Sequence, residues 1–353
     1  ALTASLIDEG TDRSSALEIA HQVETLGGYL SSQADWDCIS VALGALAKHT
    51  GRGLELLAEI GQRASFPERE VERLRQQHLA ELKRRQAQPS SLASDALSRD
   101  LYEGTIYAAS TLGTPTSLAA IRRSEILSIA GREMTPAGAA LILVGDLEPQ
   151  ALLQQVRETF SDWNGEARAT PNQLQPPHRQ GLRPVLIDRP QAPQTELWMG
   201  SVGVSRSHPD RPGLQVLNSL LGGKFTSRIN LNLRERLGIT YGASSSFSQR
   251  RAAGPFIVAA SVDSEAVGKA IREVLWELQR LRDEPVSAAE LADTQSYLQG
   301  IFPFTLQRIE GLADRLADLA VYGLPRDYFT DYFARVAAVT LADLQDLARK
   351  HLH

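Results

Sequence analysis

Arg234 and Tyr241 stand seven positions apart in the stretch Leu233-Arg234-Glu235-Arg236-Leu237-Gly238-Ile239-Thr240-Tyr241-Gly242. One carries a guanidinium fork and the other a phenol, and both suit a carbonyl oxygen or an oxyanion. The stretch reads as the end of a helix, a glycine stop and the start of a strand. Arg and Tyr on such a corner are also common as plain structural anchors, so their meaning depends on the surrounding chain.

No other residues make a self-contained catalytic set. The seven histidines are His21, His49, His78, His178, His208, His351 and His353. Only His351-x-His353 has a ligand-like spacing, and it reads as a frayed end or the start of a tag. His21 and His78 read as helix-face residues. There is no nucleophile elbow, no phosphate-cradling glycine loop and no Ser/His/Asp pattern. Cys38 is the single cysteine, which excludes an internal disulfide and a cysteine metal cluster. A net charge of −5 gives no electrostatic case for nucleic acid, and no apolar run reaches the length of a membrane span. A hydrophobic content of 42% with 22% charged residues is that of a soluble globular protein. The first residue is Ala1, in a helix already under way at Leu2, Leu6 and Ile7. A processed or truncated N-terminus is expected, with any targeting signal outside this sequence.

The elements that position these residues follow from periodicity and punctuation. Residues 1–9 read as the end of a helix stopped by Gly10. Thr11-Asp12 is expected to cap a helix from about Ser14 to Leu26, ended by Gly27-Gly28. Strands are expected at Tyr29–Ala34 and Ile39–Leu46, then helices from Gly51 to Arg63 and from Phe66-Pro67 to about Gln86. A helix from Pro89 to Tyr102, a cap at Thr114-Pro115, a buried strand at Ala139–Val144 and a helix from Pro149 to Phe160 complete the first part. From Asn164 to about Arg183 proline and glutamine replace large apolar residues, as in an exposed connector. The expected division is therefore 1–165, a linker at 166–183, and 184–353. In the last part, strands are expected at Val185–Asp188, Gln194–Val202, Tyr241–Gln249 and Pro255–Val262. Gly222-Gly223 reads as a helix stop, and a helix from Phe225 to Leu237 delivers Arg234. Helices then run to the end of the chain.

The two halves repeat this order at an offset of about two hundred residues. Leu26-Gly27-Gly28-Tyr29 faces Leu237-Gly238-Ile239-Thr240-Tyr241, and the helix after Pro67 faces the one after Pro285. The expected fold is α+β, two homologous halves, each an antiparallel sheet with helices on one face.

In this order the pieces resemble the insulinase/pitrilysin-like inverzincin peptidases, in the short form built like a processing-peptidase subunit. The resemblance rests on Glu9-Gly10-Thr11, Glu24-Thr25-Leu26-Gly27-Gly28-Tyr29-Leu30, Leu54-Glu55-Leu56-Leu57-Ala58-Glu59-Ile60, Phe66-Pro67, Gly113-Thr114-Pro115 and Val144-Gly145-Asp146. In the second half it rests on Leu221-Gly222-Gly223-Lys224-Phe225-Thr226-Ser227-Arg228 and on the Arg234–Tyr241 stretch. It implies the LuxS/MPP-like metallohydrolase fold.

Members of that family hydrolyse peptides through a histidine-x-x-glutamate-histidine motif just before the glycine at Gly10, with a further glutamate on the later long helix. The matching positions are Ala1, Ala4 and Ser5, which offer neither the two imidazoles nor the base; only Glu81 remains. The resemblance implies the opposite for the second half. There Arg234, Glu235, Gly238 and Tyr241 match the family's arginine–tyrosine pattern, whose two polar groups hold the substrate backbone and stabilise the oxyanion. Gly222, Gly223 and Phe225 fall on the loop near the family's substrate path.

The resemblance thus implies a zinc-less subunit with no cofactor of its own. Its partner would be a zinc-bearing relative in a heterodimer, or a second copy in a homodimer, and its substrate an extended peptide added at a sheet edge. Alternatives of the same fold are an inert scaffold or peptide-binding protein, in which Arg234 and Tyr241 are structural, and a peptidase with a non-standard site of its own. The compartment stays open between the cell envelope and the cytoplasm of a bacterium.

Overall fold

A computed structural model of the chain describes residues 1–166, 175–177, 181–190 and 192–352. The chain forms two compact units, Ala1–Arg85 with Ser110–Asn172, and Gln86–Ala109 with Gln173–His353. Most of the linker expected at 166–183, together with His178 and His353, lies outside the described residues.

The first unit opens with α1 (Leu2–Ser5) and α2 (Ala16–Thr25). The cap of α2 is Ser15, not the expected Thr11-Asp12. Ser15 and Glu18 form a reciprocal capping box, while the Thr11 hydroxyl contacts Glu59 Oε1 at 2.6 Å. A left-handed Gly27, φ 62°, ends the segment. Strands β1 (Tyr29–Ala34) and β2 (Ile39–Gly44) then pair antiparallel, and α3 (Thr50–Arg63) and α4 (Glu68–Ala87) follow. The core of this unit joins Leu6, Ile7, Ile19, Leu56, Ile60 and Val71.

Helix α5 (Pro89–Leu101) comes next in the chain but belongs to the second unit. Its Leu97 Cδ2 lies 3.2 Å from where a Cβ on Gly200 would stand. Just beyond the helix, the Tyr102 hydroxyl donates to the Ala253 carbonyl at 2.9 Å. The sequence division at 165 assigned this helix to the first half by chain order alone. After α6 (Pro115–Ala120), α7 (Arg123–Glu133) and α8 (Pro149–Thr159), the chain enters the main body of the second unit.

That body is a three-stranded antiparallel sheet of β3 (Thr195–Val202), β4 (Thr240–Phe247) and β5 (Pro255–Val262), in the order β3-β5-β4. Helix α9 (Arg211–Asn218) runs into a π-helical turn, Ser219–Gly223. One turn of helix, α10 (Arg228–Asn230), leads into a second π-helical turn, Leu231–Arg236. The expected Phe225–Leu237 helix is therefore one short α turn followed by a widened one. Helices α11 (Val267–Asp283), α12 (Ala288–Ile301), α13 (Ile309–Tyr322), α14 (Tyr332–Ala337) and α15 (Leu341–His351) complete the unit. Val216, Leu217, Ile229, Val258, Val274 and Leu344 share its core.

The duplicated order is visible in the elements. In each unit a left-handed glycine, Gly27 or Gly238 at φ 62° and 64°, precedes an antiparallel strand pair and two long helices. Two expected strands are absent. Ala139–Val144 and Val185–Asp188 form no strand among the described residues. Composition supplies β propensity, but a strand forms only where a neighbour completes its hydrogen bonds.

Candidate functional site

The positions matching the zinc motif lie at the start of the first unit. Ala4 is buried in the core. Ser5 Oγ lies 3.2 Å from His78 Nε2 of α4 and 3.3 Å from the Ala1 carbonyl. Nδ1 of His78 is buried without a hydrogen-bond partner among the described residues. The arrangement that leaves no buried N–H unmade has Nε2–H donating to Ser5 and Ser5 donating to Ala1. Burial pushes the His78 imidazole below its ordinary range.

Glu81, one turn on, accepts from Arg84 Nε and Nη2 at 2.7 and 2.6 Å. That hydrogen-bonded pair lowers the acid's pKa. A methyl group, a methyl group, a hydroxyl and a carboxylate committed to an arginine do not fit a zinc ion, which takes imidazole, thiolate or carboxylate ligands. Among the described residues no three His, Cys, Asp or Glu side chains are arranged to hold a metal.

The second unit builds its corner in detail. Arg234 sits in the second π turn, where the Leu237 N–H reaches back five residues to the Asn232 carbonyl at 3.1 Å. Such turns widen a helix locally and are frequent at functional sites. Asn232 anchors the turn. Its Nδ2 donates to Glu277 Oε1 at 2.9 Å and to Glu273 Oε2 at 3.0 Å, and its Oδ1 accepts from Arg236 Nη2 at 2.6 Å. The Arg234 guanidinium carbon lies 4.5 Å from the centre of the Phe225 ring, and its Nε is 3.5 Å from Glu235. A guanidinium over a ring face gains cation–π attraction and loses mobility.

Tyr241 is presented by a β-bulge. Thr240 faces Val262 and Ala243 faces Ala260, so Tyr241 and Gly242 together oppose Ser261. The Thr240 hydroxyl holds the bulge: it accepts the Gly242 N–H at 3.1 Å and lies 2.8 and 2.7 Å from the Gly242 and Ser261 carbonyls. The result is a phenol side chain on a residue 88% exposed, open to a bound molecule.

Phe225, 63% exposed, follows a close-packed pair of glycines. A Cβ on Gly222 would stand 2.5 Å from the Ser245 backbone nitrogen of β4, and one on Gly223 would stand 2.7 Å from Asn218 Nδ2. At Gly222 the obstacle is backbone, so that position does more than stop a helix. The next residues are tied to α12. Lys224 pairs with Asp293, and Arg228 Nε and Nη2 each donate to Glu290 at 2.7 Å.

Asn218, Asn230, Asn232 and Thr240 were not singled out in sequence. The available signal was three asparagines at 218, 230 and 232 in helix-like runs, where their short amides compete with the backbone and disfavour helix. The structure also brings together His208 and His351, with ring centres 5.7 Å apart and Asp210 Oδ2 2.7 Å from His351 Nε2. Sequence spacing could not reveal that pair.

The family model described as "Peptidase M16 inactive domain" matches residues 121–298, and "Insulinase (Peptidase family M16)" matches residues 2–115. The chain belongs to the M16 peptidase family. An uncharacterized zinc protease of Bacillus subtilis is 22% identical to this M16 chain, over 85% of it and 72% of the relative. A protein of Arabidopsis thaliana named "Probable mitochondrial-processing peptidase subunit beta, mitochondrial" is 21% identical over 99% of this chain and 67% of its own. Among solved structures, a peptidase M16 inactive domain from Pseudomonas fluorescens superposes with a TM-score of 0.88 at 27% identity, covering 100% of this chain and 85% of that one. A Helicobacter pylori protease shares the fold, with a TM-score of 0.92 at 20% identity and coverage of 100% and 86%.

Proposed function

We propose that this M16 chain is the zinc-less subunit of a two-chain peptidase. In this reading it lends Arg234 and Tyr241 to a zinc-bearing partner. The supporting observation is an asymmetry between the units: the motif helix is filled by alanine and serine, while the second unit devotes a π turn, a cation–π stack and a bulge to two outward-facing donors. Fixed donors aimed at an oxyanion are effective because they need no reorganisation as charge develops.

The partner would hold the metal and the reacting water. Here Arg234 would grip the peptide backbone through its fork, and the Tyr241 phenol would donate to the oxygen that gains charge. The exposed Phe225 ring would give an extended peptide an apolar surface beside Arg234.

The test is reconstitution. The purified chain, a zinc-bearing M16 protein with an intact His-x-x-Glu-His motif, and their mixture are compared on extended peptides. Activity is expected in the mixture above that of either chain alone. Arg234→Ala or Tyr241→Phe should then lower kcat/KM by about one hundredfold, the usual cost of an oxyanion donor. Full activity in the Arg234→Ala mixture would overturn the proposal. It would favour an inert scaffold in which the corner is structural.

A further inference from the structure

We propose that Asn230 is a positioning residue that holds Arg234 and Tyr241 in register; the inference rests on the reading of that corner given above. Asn230 is 4% exposed and closes α10, just before the π turn. Its Nδ2 donates to the Phe225 carbonyl at 2.6 Å, and its Oδ1 accepts the Ala243 N–H at 3.1 Å. One partner can only accept and the other can only donate, so the orientation of the amide is fixed.

Those two backbone groups belong to the two supports of the corner. Phe225 carries the ring under the Arg234 guanidinium. Ala243 is the first residue back in register with β5 after the bulge that presents Tyr241. A single buried amide therefore spans from the platform of one donor to the base of the other. Both of its bonds are to main chain, so the link does not depend on the side chains at 225 and 243.

No other short side chain can reproduce it. Aspartate accepts from Ala243 but cannot donate to Phe225, leucine does neither, and glutamine is a methylene too long. Asn230 also occupies an N–H of β4, which is an edge strand of the sheet.

The experiment uses the full chain with Asn230→Asp and Asn230→Leu, alone and mixed with the zinc-bearing partner. In the mixture Asn230→Asp is expected to lower kcat/KM about tenfold or more, mainly in kcat, because the donors are misplaced while peptide binding persists. In the Arg234→Ala background the same change should cost little more, since the two act as one unit. In the isolated chain, amide exchange at Ala243 should accelerate in Asn230→Leu and stay slow in Asn230→Asp. If Asn230→Asp keeps full activity where Arg234→Ala loses it, Asn230 does not position the pair, although the proposed function stands. If neither variant loses activity, the proposed function fails. If Asn230→Asp abolishes amide protection throughout β5, the residue holds the fold and the inference is overturned.

Discussion

Arg234 has a ring beneath it, Tyr241 has a bulge behind it, and His78 is part-buried against Ser5. His78 yields a prediction in pH. Burial lowers its imidazole pKa below the ordinary value of 6.5, so between the folded value and 6.5 the unfolded chain binds a proton that the folded chain refuses. The contribution to stability is complete above 6.5 and declines as pH falls toward the folded value. The first unit should melt at a lower temperature at pH 5.5 than at pH 7.5, and His78→Gln should flatten that dependence. A variant with the unchanged slope would mean that other groups govern acid sensitivity. At this scale Arg234 and Tyr241 were legible from type and spacing. The Ser5–His78 contact was not, because 73 residues separate its members.

At the scale of elements, the corner is built from departures from regular geometry. The π turn and the bulge each insert one extra residue and re-aim one side chain. Thr240→Val keeps the shape but removes the hydroxyl that accepts from Gly242, at a cost of about 1–2 kcal/mol. A shift in Gly242 amide exchange, with a matching loss in the reconstituted peptidase, is the expected result; an undisturbed Gly242 would show that the sheet alone enforces the bulge. Gly222→Ala drives a methyl group into the Ser245 backbone, and overpacking of this kind costs about 1–3 kcal/mol. Its melting temperature should fall, and an unchanged one would mean that β4 gives way freely. Periodicity placed most helices and all five strands within a residue or two. The π turns stayed hidden because a widened helix keeps nearly the same apolar stripe.

At the scale of the molecule, one helix crosses the order of the chain. Helix α5 follows the first unit in sequence and completes the second in space, through Leu97 against Gly200 and Tyr102 against Ala253. Leu97→Asp would set a charge against β3, which costs several kcal/mol unless the helix detaches. Amide exchange across β3 should accelerate while the β1–β2 pair stays protected. Equal protection in β3 would refute the assignment of α5 to the second unit. Among the described residues no helix is long and apolar enough to cross a membrane.

By itself the sequence determined the family and the duplicated α+β order, and it offered Ala1, Ala4 and Ser5 as the positions matching the zinc motif and Arg234 and Tyr241 as candidates. These are properties of residue type and local period, which survive without knowledge of contacts. Only the tertiary structure decided that α5 belongs to the second unit and that Ala139–Val144 and Val185–Asp188 do not pair. It alone revealed that the Asn230 amide bonds the Phe225 carbonyl and the Ala243 N–H, and that the Thr240 hydroxyl bonds the bulge. Each of these depends on which backbone groups meet across distant parts of the chain, and a single side-chain amide or hydroxyl leaves no periodic trace of the partner it will find.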